Sequence, residues 1–174
     1  MKKEKRAELE QSPSNQIDTN ATFTKKANKW YFGYKGHVGV GLGSKIIRKR
    51  AFITASVSDS KEFLNRQSGD EKSVLADKGS PNKILKKLYN YLGIFWGVLD
   101  KANKNKSLSK TQKKCNKKLS KVRAGVEHVF GYIKERFGFR KTGYKNKKRN
   151  GFKFDMSCIL YNINRVNYLT KKAI

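Results

Sequence analysis

Glu127 lies in the stretch RAGVEHVFGYIK, four residues after Arg123 and seven before Lys134. An acid there stands out, because the chain carries 41 Lys+Arg against 13 Asp+Glu and a formal net charge of +28. Beyond Lys101 the acids are Glu127, Glu135 and Asp155 alone. At about 100° per residue, Arg123, Glu127 and Lys134 fall within about 40° of one another on a helix. They border an apolar stripe of Val122, Val126, Val129, Phe130, Ile133 and Phe137, so the trio is expected half-buried at the edge of a packed face. The spacing supports two readings. One is an intrahelical Arg123–Glu127 ion pair, worth roughly a few tenths of a kcal/mol. The other is a site in which the carboxylate holds a cation while Arg123 and Lys134 hold phosphates or stabilise charge developing in a transition state.

A second carboxylate strengthens the site reading. Asp77 follows the short apolar run Val74 to Ala76 and precedes a Gly turn. That places it at the carboxyl end of a buried-strand candidate, where α/β sheets bind ligands, although a turn cap is the plainer role. Two carboxylates suit a hard divalent cation such as Mg²⁺, which takes oxygen ligands. Two such ions about 4 Å apart would clamp the attacking and leaving oxygens of an in-line phosphoryl displacement. Asp100 closes the apolar run GIFWGVLD and is an auxiliary candidate, whereas Asp59, Asp70 and Glu71 read as solvated loop acids. His37, in KGHVGV, either faces a nucleic acid or is satisfied within a sheet. The chain's histidines are His37 and His128, too few for a His-rich metal site. There is no P-loop, GxSxG or zinc-finger spacing.

The surrounding elements follow from pattern. Residues 1–29 read as a mobile polar arm or linker, with QIDTNATFTKK a loop. WYFGYKGHVGV and KIIRKRAFITASV have strand composition and are separated by the turn-like GLGS. A short helix and a loop are expected over 59–73, a strand at Val74–Ala76, a helix over PNKILKKLYNYLG and a strand in GIFWGVLD. Two helices close the chain, over about 112–137 and about 151–171. The second carries Phe152, Met156, Ile159, Ile163 and Val166 at three- and four-residue spacing. This is a mixed α/β layer arrangement, and 174 residues suffice for one domain with a real core.

The charge names the partner class. Self-repulsion at +28 disfavours the compact state unless a polyanion neutralises it, and nucleic acid does so through counterion release. A membrane surface is less well matched, because aromatic and basic residues are interleaved rather than segregated. The N-terminal MKKEKRAELEQ lacks the apolar core of a signal peptide, and no apolar run approaches membrane-spanning length. Cys115 and Cys158 lie 43 residues apart without a CxxC or Cys/His cluster, as expected of reduced thiols in a cytoplasmic protein.

The run CNKKLSKVRAGVEHVFGYIKERFGFRKTGY resembles the C-terminal segment of bacterial insertion-sequence transposases of the DDE type. Their signature of Arg, three residues, Glu, six residues and Lys is matched by Arg123, Glu127 and Lys134. NKWYFGYKGHVGV, ADKGS and YNINRV resemble further blocks of the same family, so the likeness spans roughly residues 16–170. The resemblance implies an RNase H-like core, a mixed sheet flanked by helices, with residues 30–174 as the catalytic domain. It implies Asp77 and Glu127 as catalytic acids and metal ligands for Mg²⁺ or Mn²⁺. Arg123, Lys134, Arg140, Lys141 and His37 are then contacts to DNA or phosphate. The implied partner is double-stranded DNA, at element ends and target, in a nucleoid-associated setting.

Departures accompany the likeness. Ser120 stands where the family has tyrosine, and Gly79-Ser80 replaces the usual Gly-Tyr after the second acid. The family's first Asp lies on a strand well upstream of WYFGYK. Asp18 lies twelve residues before Trp30, a distance that better matches a loop Asp of the family. The expectation is therefore an incomplete domain lacking the first catalytic strand, a truncated or frame-split chain. The implied assembly is then a homodimer or a complex with a partner chain that supplies the first acid. The competing expectation is a non-enzymatic basic nucleic-acid-binding protein. A resolvase-like nuclease on the same core is a third.

Overall fold

The computed structural model describes residues 17–26, 28–58, 69–76, 83–100, 102 and 107–173. Five strands and three helices follow in order: β1 Thr22–Lys26, β2 Lys29–Val40, β3 Ile47–Thr54, β4 Ser73–Ala76, α1 Lys83–Tyr91, β5 Phe95–Val98, α2 Lys110–Arg136 and α3 Lys147–Ala173. Strands β1, β2 and β3 form one antiparallel sheet, and β4 and β5 a parallel pair, Ala76 opposite Val98. The fold is mixed α/β. Among the described residues its strands divide into two sheets rather than one. Helix α1 connects β4 to β5, as a parallel pair requires.

The hairpin read around GLGS is present, with Tyr34 opposite Thr54 and a register shift at Gly39/Val40. The loop expected over QIDTNATFTKK holds for residues 17–21 but not beyond. Thr22–Lys26 pairs residue by residue with Lys29–Gly33, so part of the presumed arm is an edge strand. Its β-branched threonines favour the pleated conformation, while Lys25 and Lys26 keep the edge charged, which discourages stray pairing. The helix expected within 59–73 falls largely outside the described residues.

The main core joins the two long helices to the antiparallel sheet. Val129 and Ile133 of α2 and Phe154, Cys158 and Tyr161 of α3 close on Val38 and Ile47. Phe154 presses onto the backbone of β2: a β-carbon at Gly36 would lie 2.7 Å from its Cε2. Only a residue without a side chain permits that approach. A smaller cluster of Val74 and Tyr89, backed by Leu85, Ile94 and Trp96, holds α1 to the parallel pair.

Helix α3 buries a face other than its most regularly spaced apolar residues. The stripe Phe152, Met156, Ile159, Ile163 and Val166 is exposed, Phe152 by 68 %, and the buried face is Asn150, Phe154, Ser157, Cys158 and Tyr161. Periodicity reveals that a helix has an apolar face but not which face meets the core. The buried face wins because its polar atoms find partners on the hairpin. Asn162 accepts from the Ile47 N–H at 2.9 Å and donates to the Ile47 carbonyl at 2.8 Å. Tyr161 donates to the Lys45 carbonyl and Arg165 to that of Ser44. Asn162→Ala is therefore expected to cost about 2 kcal/mol in urea unfolding, since both backbone groups of the buried Ile47 lose their side-chain partner. Asn164→Ala, whose amide donates to the Tyr132 hydroxyl in an exposed bond, should stay within about 0.5 kcal/mol of the parent.

Candidate active site

Helix α2 begins at a capping box. The Ser109 Oγ accepts from the Gln112 N–H, and the Gln112 Oε1 accepts from the Ser109 N–H at 2.9 Å. From there the helix spans both sheets. A β-carbon at Gly97 would lie 3.2 Å from Leu119 Cδ2, so α2 rests directly on β5. Two turns on, Val126 and Val129 enter the main core. The apolar stripe read from the sequence is thus the packed face, except for its first residue, Val122, which is exposed.

Asn116, Arg123, Glu127 and Lys134 lie along one side of the helix, within about 40° by helical geometry. Asn116 fixes the position of that side. It accepts from the Asp100 N–H at 2.9 Å and donates to the Asp100 carbonyl at 3.0 Å, tying the exit of β5 to α2. Nothing in the charge pattern marks this clamp; an Asn on a lysine-rich helix reads as solvated. The clamp also removes Asp100 as a partner for Glu127. The two levels of the helix are about 16 Å apart at 1.5 Å per residue, beyond the span of two side chains sharing an ion.

Arg123 is half-buried, whereas Glu127, His128 and Lys134 are exposed. Among the described residues Glu127 makes no ion pair or hydrogen bond, so the Arg123–Glu127 pair allowed by spacing is not formed. Most other described acids are held. Asp18 accepts from the Tyr34 hydroxyl at 2.7 Å and from the Asn20 N–H. Glu71 accepts from the Gly69 N–H. Asp70 pairs with Arg48 and Asp155 with Arg50. Glu135 takes Arg140, the exposed cation expected at phosphate. Lys141 is exposed in the same turn.

The environments follow from these contacts. The Arg48 hydrogen bond holds the Asp70 carboxyl below its ordinary range. Burial, then the bond to Asp18, pushes the Tyr34 hydroxyl up. Burial raises the Cys158 thiol to about 12, so it stays protonated and inert. Both cysteines are free.

His37, expected at phosphate, is 8 % exposed and lies opposite Ala51 within the sheet. Asp77 and Asp59 lie outside the described residues; Asp77 follows Ala76, the last residue of β4. Among the described residues no three His, Cys, Asp or Glu side chains gather as a metal site. Glu127 nevertheless fits a hard cation, since it is a carboxylate with both oxygens unengaged. No described helix is long and apolar enough to cross a membrane.

No solved structure matches the chain. The family described as Transposase DDE domain matches residues 7–163, most of the 174, including the strands, the linking helix and all of α2. With that span, the chain belongs to the DDE transposase family.

Proposed function

We propose that this chain acts in DNA transposition through divalent-metal-dependent cleavage and transfer of DNA strands on an RNase H-like core. Glu127 would be one metal-binding carboxylate and Asp77 another. The supporting observation is that Glu127 is an exposed acid without a partner among the described residues, in a chain with abundant cations and with most of its other described acids engaged. Beside DNA a bare carboxylate repels phosphate, so it belongs there only with a cation between them. A bound Mg²⁺ or Mn²⁺ would activate the attacking oxygen and stabilise charge on the leaving one. Arg123 would present a planar fork to phosphate oxygens, and Lys134 a mobile point charge. Both lie on the Glu127 side of α2, so they would orient the scissile group toward it.

In this reading Asp18 has a structural role, its carboxylate accepting from the Tyr34 hydroxyl and the Asn20 N–H. We propose that the first acid comes from outside the described residues, on this polypeptide or on a partner chain. A second reading, DNA binding without cleavage, is favoured by the +28 charge alone.

Supercoiled-plasmid nicking by the chain, alone and mixed with an upstream polypeptide, separates the two. Nicking in Mg²⁺ or Mn²⁺ is expected to disappear on chelation with EDTA while gel-shift binding of the plasmid persists. Binding with no nicking under any of these conditions leaves the second reading.

A further inference from the structure

The first half of α2 carries a feature that catalysis at Glu127 does not use. Lys110, Lys113, Lys114, Lys117, Lys118 and Lys121 recur at three- and four-residue steps on one side of the helix, and all six are exposed. By helical geometry their arc is centred about 130° around the axis from the Arg123–Glu127–Lys134 side. It also points away from Leu119, which packs against Gly97. Among the described residues none of the six lysine side chains makes an ion pair or hydrogen bond.

As a helix surface this is self-opposing. Like charges at these steps repel, and cations at a helix N-terminus oppose the macrodipole. The first turn holds no acid, and no acid occurs between Lys110 and Glu127. Even the capping box uses uncharged Gln112 where glutamate serves equally well. No acid on this part of the helix neutralises the stripe, and its charge attracts an external polyanion.

We propose that this stripe is a phosphate ladder that grips the backbone of duplex DNA outside the catalytic face. From Lys110 to Lys121 the helix advances about 16 Å, the axial length of about five phosphates on one strand. The inference rests on the reading of the chain as a DNA-binding transposase domain and adds the surface that holds the duplex.

The test compares two full-length variants. One carries Lys113→Gln, Lys114→Gln, Lys117→Gln, Lys118→Gln and Lys121→Gln. The control carries Lys145→Gln, Lys147→Gln, Lys148→Gln, Lys171→Gln and Lys172→Gln, all at exposed positions elsewhere. Binding to a duplex of about 30 base pairs is followed by fluorescence anisotropy across NaCl concentrations. The ladder variant is expected to lose about four from the slope of log Kobs against log salt, and about 10²–10³-fold in affinity. The control should lose about one or less. The ladder variant should also melt at a higher temperature, because its repulsion is relieved, and the same five positions as arginine should keep the wild-type slope. Equal slope losses in both variants overturn the proposal, as does an unchanged slope. A loss confined to anionic phosphatidylserine vesicles also overturns it. Nicking is scored in the same samples: a chain that never nicks but loses slope as stated refutes the cleavage reading and keeps the ladder.

Discussion

Glu127→Gln is expected to lower metal-dependent nicking by at least about 10³-fold, about 4 kcal/mol of transition-state stabilisation, while duplex binding stays equal or tightens. The isosteric amide removes the charge that would hold the cation and also the charge that repels phosphate. Because Glu127 is exposed and makes no pair among the described residues, the substitution breaks no internal contact. The melting temperature should therefore stay close to that of the parent. This separates it from a structural variant, in which stability and activity fall together. Retained nicking, or clearly weaker duplex binding, would remove Glu127 from the catalytic set.

The largest loss of stability is expected from Phe154→Ala, about 3–5 kcal/mol in urea unfolding followed by circular dichroism. The side chain is 1 % exposed. Its ring centroid lies 5.7 Å from that of Phe52 and 5.4 Å from that of Phe139, with the Gly36 backbone beneath. The resulting cavity has little to collapse into it, since Gly36 offers no side chain and both neighbouring rings are held from the sheet and the turn. Against a typical domain stability of about 5–15 kcal/mol, such a loss approaches unfolding. Gly36→Ala approaches the same contact from the other side and should destabilise by about 1–3 kcal/mol through overpacking. Combined with Phe154→Leu, part of that loss should return, a non-additivity that reports direct contact.

How much of this could be read from sequence depended on the kind of signal. The β2–β3 hairpin, β4, β5 and the three helices were legible because apolar runs, Gly turns and helical spacing are local. β1 was not: TFTKK is polar and half exposed, and its strand exists through pairing with Lys29–Gly33. The buried face of α3 was not legible because two apolar arcs compete on that helix, and Asn162, Tyr161 and Arg165 decide between them through partners more than 100 residues away. At the site, spacing placed Arg123 and Glu127 within reach of each other but could not say that they stay apart. His37 was readable as a strand residue, yet its burial depends on which sheet face the helices cover. Asn116 had no signal, since its role exists only once β5 ends beside α2.

The Asn162 bridge has a consequence for how the antiparallel sheet can grow. By engaging both the N–H and the carbonyl of Ile47, one side chain occupies the outward hydrogen-bonding groups at the start of β3, as a neighbouring strand would. That border is closed by a helix. The opposite border belongs to β1, five residues long and ending in two lysines. At Ile47, a strand joining the sheet from the β3 side would first require α3 to let go.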